Sequence, residues 1–178
     1  MKRVVGFVIV VCGLAALLTA DALQATPALP FYNGPDFTPH WSRSVNHRIA
    51  DFTLVTQSGD PLRRADLIGR VHVATFVYTR CSGVCPAMIS QLSKVQRAIQ
   101  GRSDAVIVSY SVTPALDTPE MLAAFGSSRN IDPSSWKLVT GDVHQIYRLA
   151  RESYFADDER LDATQPLDEQ FLHSEKAL

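Results

Sequence analysis

Two cysteines, Cys81 and Cys85, have the type and spacing that point most directly to chemistry in this chain. Three residues separate them, and Pro86 follows at once at the start of a helical pattern. The apolar run at residues 71–78 predicts a strand that ends just before them. The N-terminus of a helix favours thiolate over thiol, and thiolates bind metals and exchange disulfides. We therefore expect a metal site or a redox site here.

The elements that position this pair follow from alternating patterns along the chain. Strands are predicted at 49–55, 71–78, 105–110 and 136–140, and helices at 86–101, after Thr118-Pro119 and after Asp142. A turn is predicted at 58–61, followed by a short helical turn. Strands that alternate with helices predict an α/β fold with right-handed βαβ connections. The cysteine loop then lies at the carboxyl edge of the sheet, where such folds bind ligands.

The spacing of the cysteines sets what they can do together. If the helix begins at or just before Cys85, the two sulfurs lie about one turn apart and can bond each other or share one ion. Arg80 adds positive charge that favours thiolate. The thioredoxin motif has one residue fewer between its cysteines, so this spacing indicates more than plain disulfide exchange.

Two soft thiolates select Cu(I) or Zn(II), and either ion needs at least one further ligand. The candidates are the five histidines: His40, His47, His72, His144 and His173. His72 falls in a strand and is expected to pack, and His144 is expected to be solvated. His173 follows a short strand-like piece near the end of the chain. The residue pattern alone leaves the choice open.

The N-terminal part predicts export. Lys2-Arg3 precede an uncharged apolar stretch, residues 4–18, with small residues at 20 and 22. Residues 1–22 are therefore expected to be a signal peptide or a membrane anchor, with the folded part on the periplasmic side in both cases. Residues 23–46, rich in proline and aromatic residues, predict an arm that Trp41 pins to a domain spanning 47–178.

Composition narrows the partners. Of 178 residues, 17 are Lys or Arg and 18 are Asp or Glu, giving a formal net charge of −1. This balance gives no electrostatic reason to expect nucleic acid as a partner. Outside the leader the chain has two cysteines, too few for a disulfide scaffold.

The chain resembles the Sco/SenC family over nearly all of its length after the leader. The matching segments are residues 29–33 and 36–39, 76–81 through Cys85-Pro86, residues 109–119 with their Ser-Val-x-Pro-x-x-Asp-Thr-Pro pattern, Trp136 with 138–141, and His173-Ser174. The resemblance implies a thioredoxin-like fold, with a central mixed sheet flanked by helices. It also implies Cys81, Cys85 and His173 as copper ligands, for Cu(I) and also for Cu(II).

The function implied by the resemblance is that of a metallochaperone. Such a protein delivers copper to the binuclear copper site of cytochrome c oxidase, or reduces the cysteines of that site, so the copper-bearing oxidase subunit is the implied partner. The upstream copper donor is not identified. Two alternatives stay open: an exported thiol-disulfide oxidoreductase or thiol peroxidase that uses Cys81 and Cys85, and an inert disulfide that staples the loop.

Three departures from the family pattern carry expectations. Thr113 stands where the family usually has Asp, and residues 153–170 show no assignable secondary structure. The chain ends at Leu178, where residues 176–178 are expected to enter a strand that completes the sheet. By the resemblance, the C-terminal strand and helix of the domain are missing, which predicts weaker copper retention.

Overall fold

The computed structural model describes residues 29–41, 47–81, 85–156 and 177–178. The elements, in chain order, are β1 (Thr53–Thr56), β2 (Pro61–Arg63), a 3-10 turn (Arg64–Leu67), β3 (Val71–Val77), α1 (Cys85–Ala98), β4 (Ala105–Ser111), α2 (Pro119–Ser127), β5 (Trp136–Thr140), α3 (Val143–Arg148) and a π-helical turn (Leu149–Ser153).

The five strands form one mixed sheet in the order β2-β1-β5-β4-β3. β3, β4 and β5 are parallel, whereas β1 runs antiparallel to both β5 and β2. The predicted α/β class with a mixed central sheet is confirmed. β1 is shorter than predicted, and β2 was not predicted because it has three residues and begins with a proline. Proline is tolerated at the first residue of an edge strand, which is where Pro61 lies.

The sheet separates two cores because neighbouring residues of a strand face opposite sides. On one side, α1 and α2 pack against Ile107 and Trp136. On the other, α3 and the π-helical turn pack against Tyr110 and Val139. All seven residues of β4 are buried, as the apolar run predicted for a parallel strand covered on both faces. The helical layers therefore fix the strands that end at the cysteine loop.

Capping residues set the starts of two helices, as predicted. The Thr118 hydroxyl accepts a hydrogen bond from the backbone N–H of Met121 at the start of α2. The Asp142 carboxylate accepts one from the backbone N–H of Gln145, at 2.8 Å, at the start of α3. Such caps satisfy backbone donors that a helix leaves unpaired at its first turn. Leu149, predicted in the same helix, lies in the π-helical turn that follows α3.

The last residue of the chain pairs with β3. The Leu178 N–H donates to the Ala74 carbonyl at 3.0 Å, and the Ala74 N–H donates to the Leu178 carbonyl at 2.6 Å. Two residues that exchange both backbone hydrogen bonds form an antiparallel pair. Leu178 thus makes one antiparallel pair with β3, in line with the expectation that residues 176–178 enter a strand beside the sheet.

The described part of the arm, residues 29–41, forms a small hairpin closed by an antiparallel bridge between Phe31 and His40. Trp41 is 64% exposed, so the expectation that it pins the arm was wrong. Within the described part of the chain, no helix is both long and apolar enough to span a bilayer. The leader predicted at residues 1–22 lies outside the described residues.

Candidate metal centre

The cysteine loop leaves the sheet at the carboxyl end of β3, as expected. A turn follows the strand, in which the Cys81 N–H donates to the Tyr78 carbonyl at 3.1 Å. α1 begins at Cys85, so the second thiol stands at the first residue of the helix. Both cysteines are thiols and both are half-buried. Residues 82–84 between them lie outside the described residues.

α1 is held in place by its apolar face. Met88 and Leu92 are buried, and Val95 and Ile99 pack beside them, as the four-three-four spacing predicted. The side chains lie against the same core as Ile107. Cys85 therefore stands on a helix whose position is set by packing against the sheet.

The two thiols are close enough to interact directly. Burial raises the pKa of the Cys85 thiol above its ordinary value, and a hydrogen bond with the Cys81 side chain raises it further, against a backbone hydrogen bond with Tyr78 that lowers it. The expectation that the helix N-terminus and Arg80 favour thiolate was therefore wrong for Cys85, because desolvation disfavours the charged form. Burial therefore makes the Cys85 thiol harder to deprotonate, and a soft ion that binds it as thiolate must displace that proton.

Two of the described histidines have partners far from the thiols. His72 is half-buried, and its Nε2 is 3.0 Å from the Tyr154 hydroxyl. His47 places its Nε2 2.8 Å from the Ser153 carbonyl. His72 thus packs as expected.

The other histidines do not add a third ligand among the described residues. His40 lies on the arm hairpin, and His144 is exposed in the first turn of α3, as expected. Over the described ranges, no three histidine, cysteine or acidic side chains are grouped so as to hold a metal ion. The predicted ligand His173 lies outside the described residues, so the ligand set Cys81, Cys85 and His173 stays a prediction.

One residue beside the site was missed by sequence reasoning. Asp117 is fully buried and accepts hydrogen bonds from hydroxyl groups on two segments of the chain, one of which is the segment leading to Cys81. Its signal in the sequence is its place in the pattern at 111–119. That pattern supports the family resemblance but does not say what the carboxylate does.

Comparison with known proteins adds to this geometry. The SCO1/SenC family model matches residues 42–178, which is more than half of the chain. The chain belongs to the SCO1/SenC family. The SCO1 protein homolog of Bacillus subtilis is 30% identical to it over 114 residues, which cover 63% of this chain and 59% of the relative. The chain thus spans about three-fifths of that relative's length.

Solved structures of family members have the same fold. BsSco, described as a member of the Sco family of cytochrome c oxidase assembly proteins with a disulfide switch, matches with a TM-score of 0.58 and 27% identity, covering 68% of this chain and 72% of BsSco. ScoI of Bradyrhizobium japonicum, solved with copper bound, matches with a TM-score of 0.54 and 26% identity, covering 66% and 74%. The predicted thioredoxin-like fold is confirmed, and the metal expected from the resemblance is the one bound in that SCO1/SenC relative.

Proposed function

We propose that this chain is a copper-binding assembly factor that delivers copper to the copper-bearing subunit of cytochrome c oxidase. The observation that carries the proposal is the pair of half-buried, hydrogen-bonded thiols of Cys81 and Cys85 at the carboxyl edge of the sheet. Similar proteins support it, since one is solved with copper bound and another is described as an oxidase assembly protein. Copper is the cargo of such a protein.

The donor set fits a soft ion. Sulfur ligands suit Cu(I), and two thiols close enough to share a hydrogen bond are close enough to share one ion. Each thiol that binds as thiolate releases one proton, so copper binding exchanges protons for the ion. Because both cysteines are half-buried, part of each sulfur's surroundings is open to a partner.

The pairing of Leu178 with β3 and the length of chain before it support His173 as a third ligand. Leu178 exchanges both backbone hydrogen bonds with Ala74 in β3, and Cys81 follows the carboxyl end of that strand. Four residues separate His173 from Leu178, so the two Cα atoms are at most about 18 Å apart. The chain length therefore permits the imidazole to reach the thiols, and we propose it as the third ligand.

Transfer follows from ligand exchange. A thiolate or imidazole of the acceptor adds to the copper held by Cys81, Cys85 and His173 before one of these ligands leaves. The ion then passes between proteins without release into solution, and the departing cysteine regains its proton.

The same thiols support a second activity, reduction of a disulfide in the acceptor. Cys81 and Cys85 lose two electrons and two protons to form one disulfide, while the acceptor disulfide becomes two thiols. The adjacency of the two sulfurs favours this activity, and so does the disulfide switch described for BsSco.

By the pattern of residues 1–22, we place both activities on the periplasmic side of the cytoplasmic membrane, with the chain free or anchored by its N-terminus.

The test is anaerobic titration of the full chain with Cu(I) against a chromogenic Cu(I) chelator. We expect one copper per chain, with the ion lost in Cys85→Ser and its affinity reduced in His173→Ala. His144→Ala is the matched control, because His144 is exposed on α3 and should leave binding unchanged. Unchanged copper binding in His173→Ala would refute the ligand set, and copper binding that survives Cys85→Ser would refute the site.

A further inference from the structure

Asp117 is a carboxylate with no exposed surface, in the loop between β4 and α2. Three hydroxyl groups donate hydrogen bonds to it. Thr79 donates to Oδ1 at 2.5 Å, while Ser111 and Thr113 donate to Oδ2 at 2.6 and 3.0 Å. A buried carboxylate is costly unless its oxygens are hydrogen-bonded. These three donors meet that need at the edge of the sheet where the cysteines lie.

The two oxygens of this carboxylate hold different segments. Oδ2 binds hydroxyls at the end of β4 and in the loop after it, whereas Oδ1 binds Thr79, two residues before Cys81. The backbone of Asp117 is fixed as well, because its N–H donates to the Thr113 carbonyl at 3.0 Å and the next residue, Thr118, caps α2. The carboxylate therefore connects a rigid part of the fold to the segment that leads into the cysteine loop.

We propose that Asp117 is a positioning residue for the thiol pair. Thr79 lies inside the turn that the Cys81 N–H closes on the Tyr78 carbonyl, so holding Thr79 holds that turn. Cys85 is positioned separately, by the packing of α1. The hydrogen bond between Asp117 and Thr79 thus sets where Cys81 stands relative to Cys85. For copper, this inference rests on the proposed function; for thiol chemistry, it rests on the thiol pair alone.

The position of Cys81 relative to Cys85 should affect how readily their two sulfurs form a disulfide. Two thiols and one glutathione disulfide give one protein disulfide and two reduced glutathione molecules, so the exchange is balanced in atoms and electrons. A fold that holds the sulfurs side by side favours the protein disulfide, because less freedom is lost when it closes. Releasing Thr79 from Asp117 should therefore shift this equilibrium towards the dithiol.

The test compares two isosteric substitutions, one at Thr79 just after β3 and one at Thr75 within β3. Thr79→Val removes the hydroxyl that Asp117 holds. Thr75→Val removes a buried hydroxyl that shares a hydrogen bond with Ser109 at 2.7 Å and, among the described residues, makes no hydrogen bond with Asp117. Both should lower the midpoint of urea unfolding. Only Thr79→Val should lower the equilibrium constant for disulfide formation against glutathione, by about tenfold, the factor that one lost hydrogen bond supports.

A rescue variant keeps the test decisive. Thr79→Ser retains the hydroxyl and should restore the wild-type constant. The proposal is overturned if Thr79→Val and Thr75→Val shift the constant equally, or if Thr79→Ser behaves like Thr79→Val. Cu(I) titration of the same proteins separates this inference from the proposed function. A wild-type chain that binds no copper refutes the copper role, while a selective shift in the glutathione constant still supports the positioning role.

Discussion

The two tryptophans of the chain offer a controlled test of the core. Trp136 has no exposed surface, lies between the sheet and the α1/α2 layer, and donates its indole N–H to the Ser109 hydroxyl at 2.9 Å. Ser109 in turn shares a hydrogen bond with Thr75 at 2.7 Å. Replacing Trp136 by Phe removes one ring and the hydrogen bond while it keeps an aromatic side chain.

The magnitude of this change follows from its two parts. A net hydrogen bond is worth about 1 kcal/mol, and the Ser109 hydroxyl keeps its Thr75 partner, so no buried group is stranded. The space left by the lost ring adds a cavity cost, which brings the expected loss for Trp136→Phe to about 2–3 kcal/mol of unfolding free energy. Out of about 5–15 kcal/mol for a domain, this is a large fraction.

The assay is urea unfolding followed by far-UV circular dichroism, which does not depend on the tryptophans themselves. Trp41→Phe is the matched control, because Trp41 is 64% exposed, and a surface change of this kind costs within about 0.5 kcal/mol. Copper stoichiometry should be unchanged in both variants under folding conditions. A loss in Trp136→Phe no larger than that in Trp41→Phe would refute this account of the core.

Three further outcomes are expected. Burial lowers the pKa of His72 below 6.5, so the unfolded chain binds more protons than the folded chain as the pH drops through this range. The free energy of unfolding should therefore fall below pH 6.5, by at most about 1.4 kcal/mol per pH unit. In urea titrations from pH 8 to pH 5, His72→Gln should flatten this slope. Asp142→Ala removes the cap of α3 and should cost about 1 kcal/mol of unfolding free energy, whereas a loss near zero would show that the cap is not used. The raised pKa of Cys85 predicts that its alkylation rate in Cys81→Ser still climbs above pH 9, and a plateau by pH 8 would contradict the burial argument.

Much of the local structure was predictable because its causes are adjacent in the sequence. The apolar run of β4, the Thr118-Pro119 start of α2 and the four-three-four spacing on α1 each depend on neighbouring residues, and all three are confirmed. The placement of the cysteine pair at the N-terminus of α1 was predicted from the same kind of local pattern.

The sequence by itself determined the class of fold, the pair of thiols and the family to which the chain belongs. Tertiary structure decided the raised pKa of Cys85, the burial of Asp117 and the pairing of Leu178 with Ala74. The reason is physical: desolvation and cross-chain hydrogen bonds depend on atoms that are distant along the chain. No local pattern states that the carboxylate at 117 meets the hydroxyl at 79, because only the folded sheet brings the two loops together.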